Sequence, residues 1–207
     1  MKLVKSRSFR VSSSKSSRGF SLIELVVAMV VALVLAAIAI PSIVTTYSQY
    51  RLGVQATLIA DQLDLLRMSA IRRNTTIVLN STTSAPCSTG AKTVLYIDIN
   101  KDNACNAGDP RVMLPGDIQI ANAGGATPAG MPGSTSMGTA YATTLPLPSA
   151  GFSFTSNGTI TGATGPYFIV IGYTNSTKYG YRAITVTPMG EIRVWTASSG
   201  GSWHASS

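Results

Sequence analysis

The chain has 207 residues, 45% of them hydrophobic, enough for one domain, or one domain with an appendage, around a modest core. Its net charge of +8 would ordinarily point to an anionic partner. However, six of the sixteen cations precede Gly19 with no acid among them, and from Phe20 onward ten basic residues face eight acidic ones, so the basicity marks a leader rather than a nucleic-acid surface.

The basic leader, residues 1–19, runs directly into FSLIELVVAMVVALVLAAIAIPSIV, where Glu24 is the only charged residue between Phe20 and Val44. About twenty apolar residues at a rise of about 1.5 Å cross a hydrocarbon core of about 30 Å, which predicts a membrane span over 20–44. A secretory signal has a shorter apolar region followed by small residues in an A-x-A pattern, and nothing around Pro41-Ser42 supplies one. Cations before the span and few just after it orient the N-terminus to the cytoplasm and the rest of the chain to the periplasm.

A plain anchor has no use for a carboxylate, and an ionised one costs about 2.5–3.5 kcal/mol near the bilayer centre. Snorkelling to the headgroups is one reading of Glu24. The other is a cationic partner, and cutting the chain before Phe20 would create one as a new ammonium terminus.

Arg18-Gly19-Phe20-Ser21-Leu22-Ile23-Glu24 resembles the class III signal of type IV pilins and pseudopilins. The resemblance implies that a membrane prepilin peptidase cuts between Gly19 and Phe20 and N-methylates Phe20. Glu24 then becomes the fifth mature residue, and Pro41 falls where the family has a helix-kinking proline. It further implies an inner-membrane, single-pass protein that joins other pilins or pseudopilins through its N-terminal helix and ends in a pilus or pseudopilus. The chemistry of the register follows from the residues. Glycine leaves no side chain to clash in a protease subsite, and a Glu24 carboxylate can pair with a neighbour's Phe20 ammonium where lipid satisfies neither.

Beyond Pro41, Tyr47, Tyr50, Val54, Leu58, Leu65, Met68 and Ile71 recur at three- and four-residue steps, with Arg51, Gln55, Asp61, Gln62 and Arg67 between them. This predicts one helix over Ser21–Arg73, kinked at Pro41, whose part over 45–74 continues into the head and packs on it. Arg72 and Arg73 suit the C-terminal end of the helix dipole, and Asn74 suits a stop.

From Thr75 the pattern turns to strands, over 76–79, 93–97, 112–114, 118–120, 152–154, 167–173, 182–186 and 191–195, with Asn157-Gly158 and Met189-Gly190 as hairpin turns. A long helix followed by antiparallel strands is an α+β fold, the head spanning 75–198. The uncharged Gly/Pro/Ala/Ser/Thr segment 121–150 reads as a flexible surface loop with little to bury, and 199–207 as a loose tail.

AIRRNTTIVL, VLYIDINKDNACNAGDPRVM, FSFTSNGTITG and RAITVTPMGEIRVW together resemble the GspH/FimT branch of minor pilins and pseudopilins. That branch serves both type II secretion pseudopili and type IV pili, and the sequence leaves both open. Some members capture DNA through a C-terminal GRxR-like motif. Here the place reads Gly190-Glu191-Ile192-Arg193, with an acid where an arginine is wanted, which argues against DNA as a partner. The alternative readings are a DNA-binding minor pilin for transformation and a membrane-anchored periplasmic binding protein that never polymerises.

In an oxidising compartment the two cysteines, Cys87 and Cys105, favour a disulfide over two free thiols. Asp98, Asn100, Asp102, Asn106 and Asp109 copy the oxygen spacing of a calcium loop, but Asn103 stands where glycine is needed and the last acid is Asp, so a polar hairpin turn is the stronger reading. A single histidine, His204, and scattered acids form no catalytic constellation, so the chain reads as non-enzymatic, with no cofactor and no small-molecule substrate.

Overall fold

The computed structural model describes residues 19–88, 90, 92–121, 130–133, 137, 145–146 and 152–206. Helix α1 (Leu22–Arg73) runs for 52 residues with Pro41 inside it. Its first carbonyl acceptor is Ser21, which takes the N–H of Leu25 at 3.1 Å. At the far end Asn74 adopts a left-handed φ of 51°. The Asn74 N–H then reaches the Ile71 carbonyl and the Thr75 N–H the Ala70 carbonyl, both at 3.1 Å. These are the two bonds of a Schellman cap, with asparagine in the place usually held by glycine.

The chain divides into two compact units after Ile43. Every side chain of Leu22–Ile43 is exposed. A helix segment that is apolar all round and exposed along its length suits an apolar medium. It is long and apolar enough to cross a membrane.

The second unit contains the rest of α1 and two sheets. One sheet has the order β3 (Arg111–Met113), β2 (Val94–Asp98), β1 (Ile77–Thr82), β6 (Phe152–Phe154). The other runs β10 (His204–Ala205), β9 (Ile192–Ala197), β8 (Ser176–Val186), β7 (Tyr167–Tyr173), β4 (Ile118–Ile120), and the short β5 (Leu145–Pro146) lies parallel to β7. All other pairings are antiparallel, with Leu79 opposite Ile97 in the first sheet and Ile169, Ile184 and Val194 aligned across the second. Together these elements form the expected α+β fold.

Leu52, Ala56, Ile59, Leu63, Leu66 and Ala70, all fully buried at four- and three-residue steps, form the face of α1 that enters the main core. They meet Ile77 and Leu79 of β1, Leu95 and Ile97 of β2, Phe154, and Ile169, Ile171, Ile184 and Val186 of the second sheet. Each fully buried Leu or Ile stabilises the fold by about 1.5–3 kcal/mol relative to exposure. The stripe of Tyr47, Tyr50, Val54, Leu58, Leu65, Met68 and Ile71 is a different face, and it is exposed. Two features select between the stripes. The packed one carries alanines that let the sheets approach closely. The outward one takes in Asp61, whose carboxylate would be costly to bury unpaired.

Two expectations are corrected at the C-terminal side. The tail, expected to be loose over 199–207, is held through its described residues, because Trp203 is only 3% exposed and its indole N–H donates to the Pro132 carbonyl at 3.1 Å. His204 and Ala205 pair with Thr196 and Trp195 as an edge strand. The segment 121–150, most of which lies outside the described residues, does bury side chains. Met131 and Met137 join Phe168, Val170, Tyr181, Trp195 and Trp203 in a second core on the outer face of the second sheet. The strand alternation explains this core. Odd positions of β7 face α1 and even ones face outward, and an apolar outward row needs a cover.

Candidate functional site

Gly19 and Phe20 precede the helix as irregular backbone, Phe20 76% exposed. A side chain at Gly19 would meet nothing within 4 Å, so local packing gives no reason for glycine there. Glu24 lies in the first turn of α1, exposed among exposed apolar residues. The expected processing point, the exposed residue expected to follow it and the lone acid therefore fall within six consecutive residues at the entry to the apolar helix. Residues 1–18 of the expected leader lie outside the described residues.

The second unit clamps its part of α1 with polar contacts. The Arg51 guanidinium grips both oxygens of Asp117, at 2.8 and 3.1 Å, and this contact raises its pKa above the ordinary value. Gln62 donates to the Pro110 carbonyl at 2.7 Å, and the Tyr173 hydroxyl donates to the Ser48 carbonyl at 3.2 Å. Arg67 donates to the Gly158 and Met189 carbonyls at 3.2 and 3.3 Å, tying both predicted hairpin turns to the helix. None of these contacts was visible in the sequence. Each joins residues at least 48 positions apart.

Cys87 and Cys105 are joined in a disulfide, Cα–Cα 5.9 Å, that covers Val94 and Tyr96 on the outer face of β2. A loop with a sequence separation of 18 corresponds to about 3 kcal/mol of chain-entropy stabilisation.

The candidate calcium residues face their own loop. Asp98, fully buried, accepts the backbone N–H groups of Lys101 and Asn103 at 2.7 and 2.9 Å, and both donors sit at left-handed φ. Asp102 accepts the Ala104 N–H and the Asn100 and Asn106 side-chain amides, all at 2.8 Å. The Ala104 N–H, followed by Asn106, holds its carboxyl below the ordinary range. Asp109 accepts the Asn106 N–H at 2.8 Å. The carboxylates serve as turn-makers, and among the described residues no group of three His, Cys, Asp or Glu could hold a metal.

At the site corresponding to the GRxR motif, Gly190 takes φ 81° in the β8–β9 turn and Glu191 pairs with Arg193 at 2.6 Å. The one arginine of the motif is thus offset by its neighbour.

Sequence reading also missed Arg182. It shares the α1-facing side of β8 with Ile184 and Val186, and strict alternation along the strand would have flagged a cation in an apolar row.

The description "prokaryotic N-terminal methylation motif" matches residues 14–40 of this chain, and the match supports a type IV prepilin-like protein. No curated protein and no solved structure matches the chain.

Proposed function

We propose that the chain is a minor pilin or pseudopilin of the GspH/FimT branch, a non-enzymatic subunit of a type IV pilus or type II secretion pseudopilus. Prepilin peptidase cuts it between Gly19 and Phe20 and methylates Phe20. The N-terminus faces the cytoplasm and the second unit the periplasm until the subunit leaves the membrane for the filament. The observation that carries this reading is Glu24. It is an exposed carboxylate in the first turn of an apolar helix, within a matched methylation motif. In a helix bundle it pairs with the Phe20 ammonium of an adjacent subunit, satisfying two charges that lipid cannot. Such a pair fixes axial register more than it adds stability. The offset of Arg193 by Glu191 favours a structural subunit over a DNA receptor.

Coexpressed with a prepilin peptidase, the chain should lose residues 1–19 and begin with methyl-Phe20, and Gly19→Val should block the cut. Glu24→Val should insert and be cleaved normally yet be missing from sheared filaments, because the neighbour's amine loses its partner. N-terminal sequencing that finds a cut after Ala39 or Ser42 would overturn the processing reading. Normal recovery of Glu24→Val in filaments would overturn the pairing of Glu24 with a neighbour's Phe20 ammonium, and absence of the wild-type chain from filaments would leave a tethered head that does not polymerise.

A further inference from the structure

An open groove of about 760 Å³ lies in the second unit between α1 and the edge of the second sheet. Its helix wall includes Thr46 and Tyr50, and its strand wall includes Arg182 and Thr196, with Ser206 closing the tail side. Strand register explains how a cation came to sit there. Ile171, Arg182 and Thr196 are aligned across β7, β8 and β9 on the face that carries Ile184 and Val186 toward α1. At this row the apolar core ends and a guanidinium replaces the next aliphatic side chain.

Arg182 is half-buried, and its N–H groups donate to two neutral carbonyls, Tyr181 at 3.1 Å and Gln49 at 3.3 Å. Burial lowers its pKa from the ordinary value without removing its charge. Among the described residues the ion pairs are Arg51–Asp117 and Arg193–Glu191, so no carboxylate compensates Arg182, and the groove lining contains no acid. A guanidinium has five N–H donors in a planar fork suited to an oxyanion, and only part of that fork is used here.

We propose that this groove receives the headgroup phosphodiester of an anionic phospholipid. The inference rests on the membrane-anchor reading above. Thr46 lies two residues after Val44, and connectivity alone, at up to about 3.6 Å per residue, keeps it within about 7 Å of the end of the apolar run. Tyr47 and Tyr50 are both exposed at this level, where amphipathic rings favour the membrane–water interface. Arg182 takes the phosphate, while the Thr196 and Ser206 hydroxyls, hydrogen-bonded to each other at 3.0 Å, keep one O–H donor between them for the polyol part of the headgroup. An ammonium-bearing headgroup would bring a second cation to a wall with no carboxylate, so the groove selects a glycerol-type headgroup over a choline type. The anchor keeps lipid at high effective concentration, so one modest contact is enough.

The test uses the full chain in nanodiscs of phosphatidylglycerol or of phosphatidylcholine. Amide hydrogen exchange across 46–58 and 182–197 should be about fivefold slower in phosphatidylglycerol, the effect of one arginine at an anionic surface. Arg182→Gln should remove that difference, and Arg72→Gln with Arg73→Gln, far along the helix, should keep it. Equal exchange of the wild-type chain in the two lipids would overturn the proposal whether or not any variant folds. The same slowing produced by inorganic phosphate in phosphatidylcholine discs would overturn it in favour of a free-anion site. A chain that does not enter discs at all would instead remove the anchor on which this inference stands.

Discussion

Gly158 and Gly190 bring the turns of two separate hairpins into contact. A Cβ on Gly190 would stand 2.3 Å from the Gly158 carbonyl oxygen and 2.7 Å from Arg67 Nε, and both glycines hold positive φ, 75° and 81°. Replacing Gly190 with alanine combines a left-handed cost of about 1–2 kcal/mol with a backbone clash that no rotamer relieves. Gly190→Ala should therefore destabilise the second unit by about 2–4 kcal/mol in urea unfolding. Gly162→Ala, at φ 66° with nothing within 4 Å, should cost only the conformational part. Equal losses would show that the two turns do not press on each other. The sequence made both turns legible, since Asn-Gly and Met-Gly between strands call for a residue that accepts positive φ. It could not show that the turns meet, or that Arg67 holds both. That depends on a fold joining residues 91 and 122 positions apart.

Among the elements, the long helix, its end at Asn74 and eight of the ten strands among the described residues follow from periodicity and turn residues. The misses have physical causes. Along α1 both stripes are apolar, so period alone could not say which one packs. The decision came from alanine at the interface and from Asp61 on the other side. β5 and β10 are two residues long, too short to carry a period, and Gly-Gly-Ser before Trp203 carries the composition of a linker. Yet Trp203 closes the second core. Trp203→Ala should lower the stability of the second unit by about 3–5 kcal/mol, the usual cost of emptying a buried aromatic site, with a lower midpoint and an unchanged urea slope. A change below about 0.5 kcal/mol would return the tail to the dispensable linker that its composition suggests. The candidate ligand loop shows the converse case. Its calcium-like spacing is real, but the spacing that presents oxygens to a cation also presents them to the loop's own N–H groups, and those occupy them.

At the scale of the molecule, every residue of the three buried clusters lies between Leu52 and Trp203, within the second unit. The fragment Val44–Ser207 should therefore melt within a few degrees of the full chain in detergent, by near-ultraviolet circular dichroism. A drop of more than about 10 °C, roughly 2.5–5 kcal/mol for a domain of this size, would mean that the apolar segment supports the head. The α+β class was legible, but the division into two sheets was not. β1 takes β6 as its neighbour and β4 joins β7, pairings set by long-range burial rather than chain order. The span of the helix contacts also bears on biosynthesis. The inward stripe of α1 precedes the strands that cover it, and its clasp at Arg67 waits for Met189, 122 positions later. At about 5–20 residues per second that wait lasts on the order of 6–24 seconds, during which the stripe emerges with its apolar side chains uncovered. The finished fold conceals that interval, in which one face of α1 stays in solution without the sheets that later bury it.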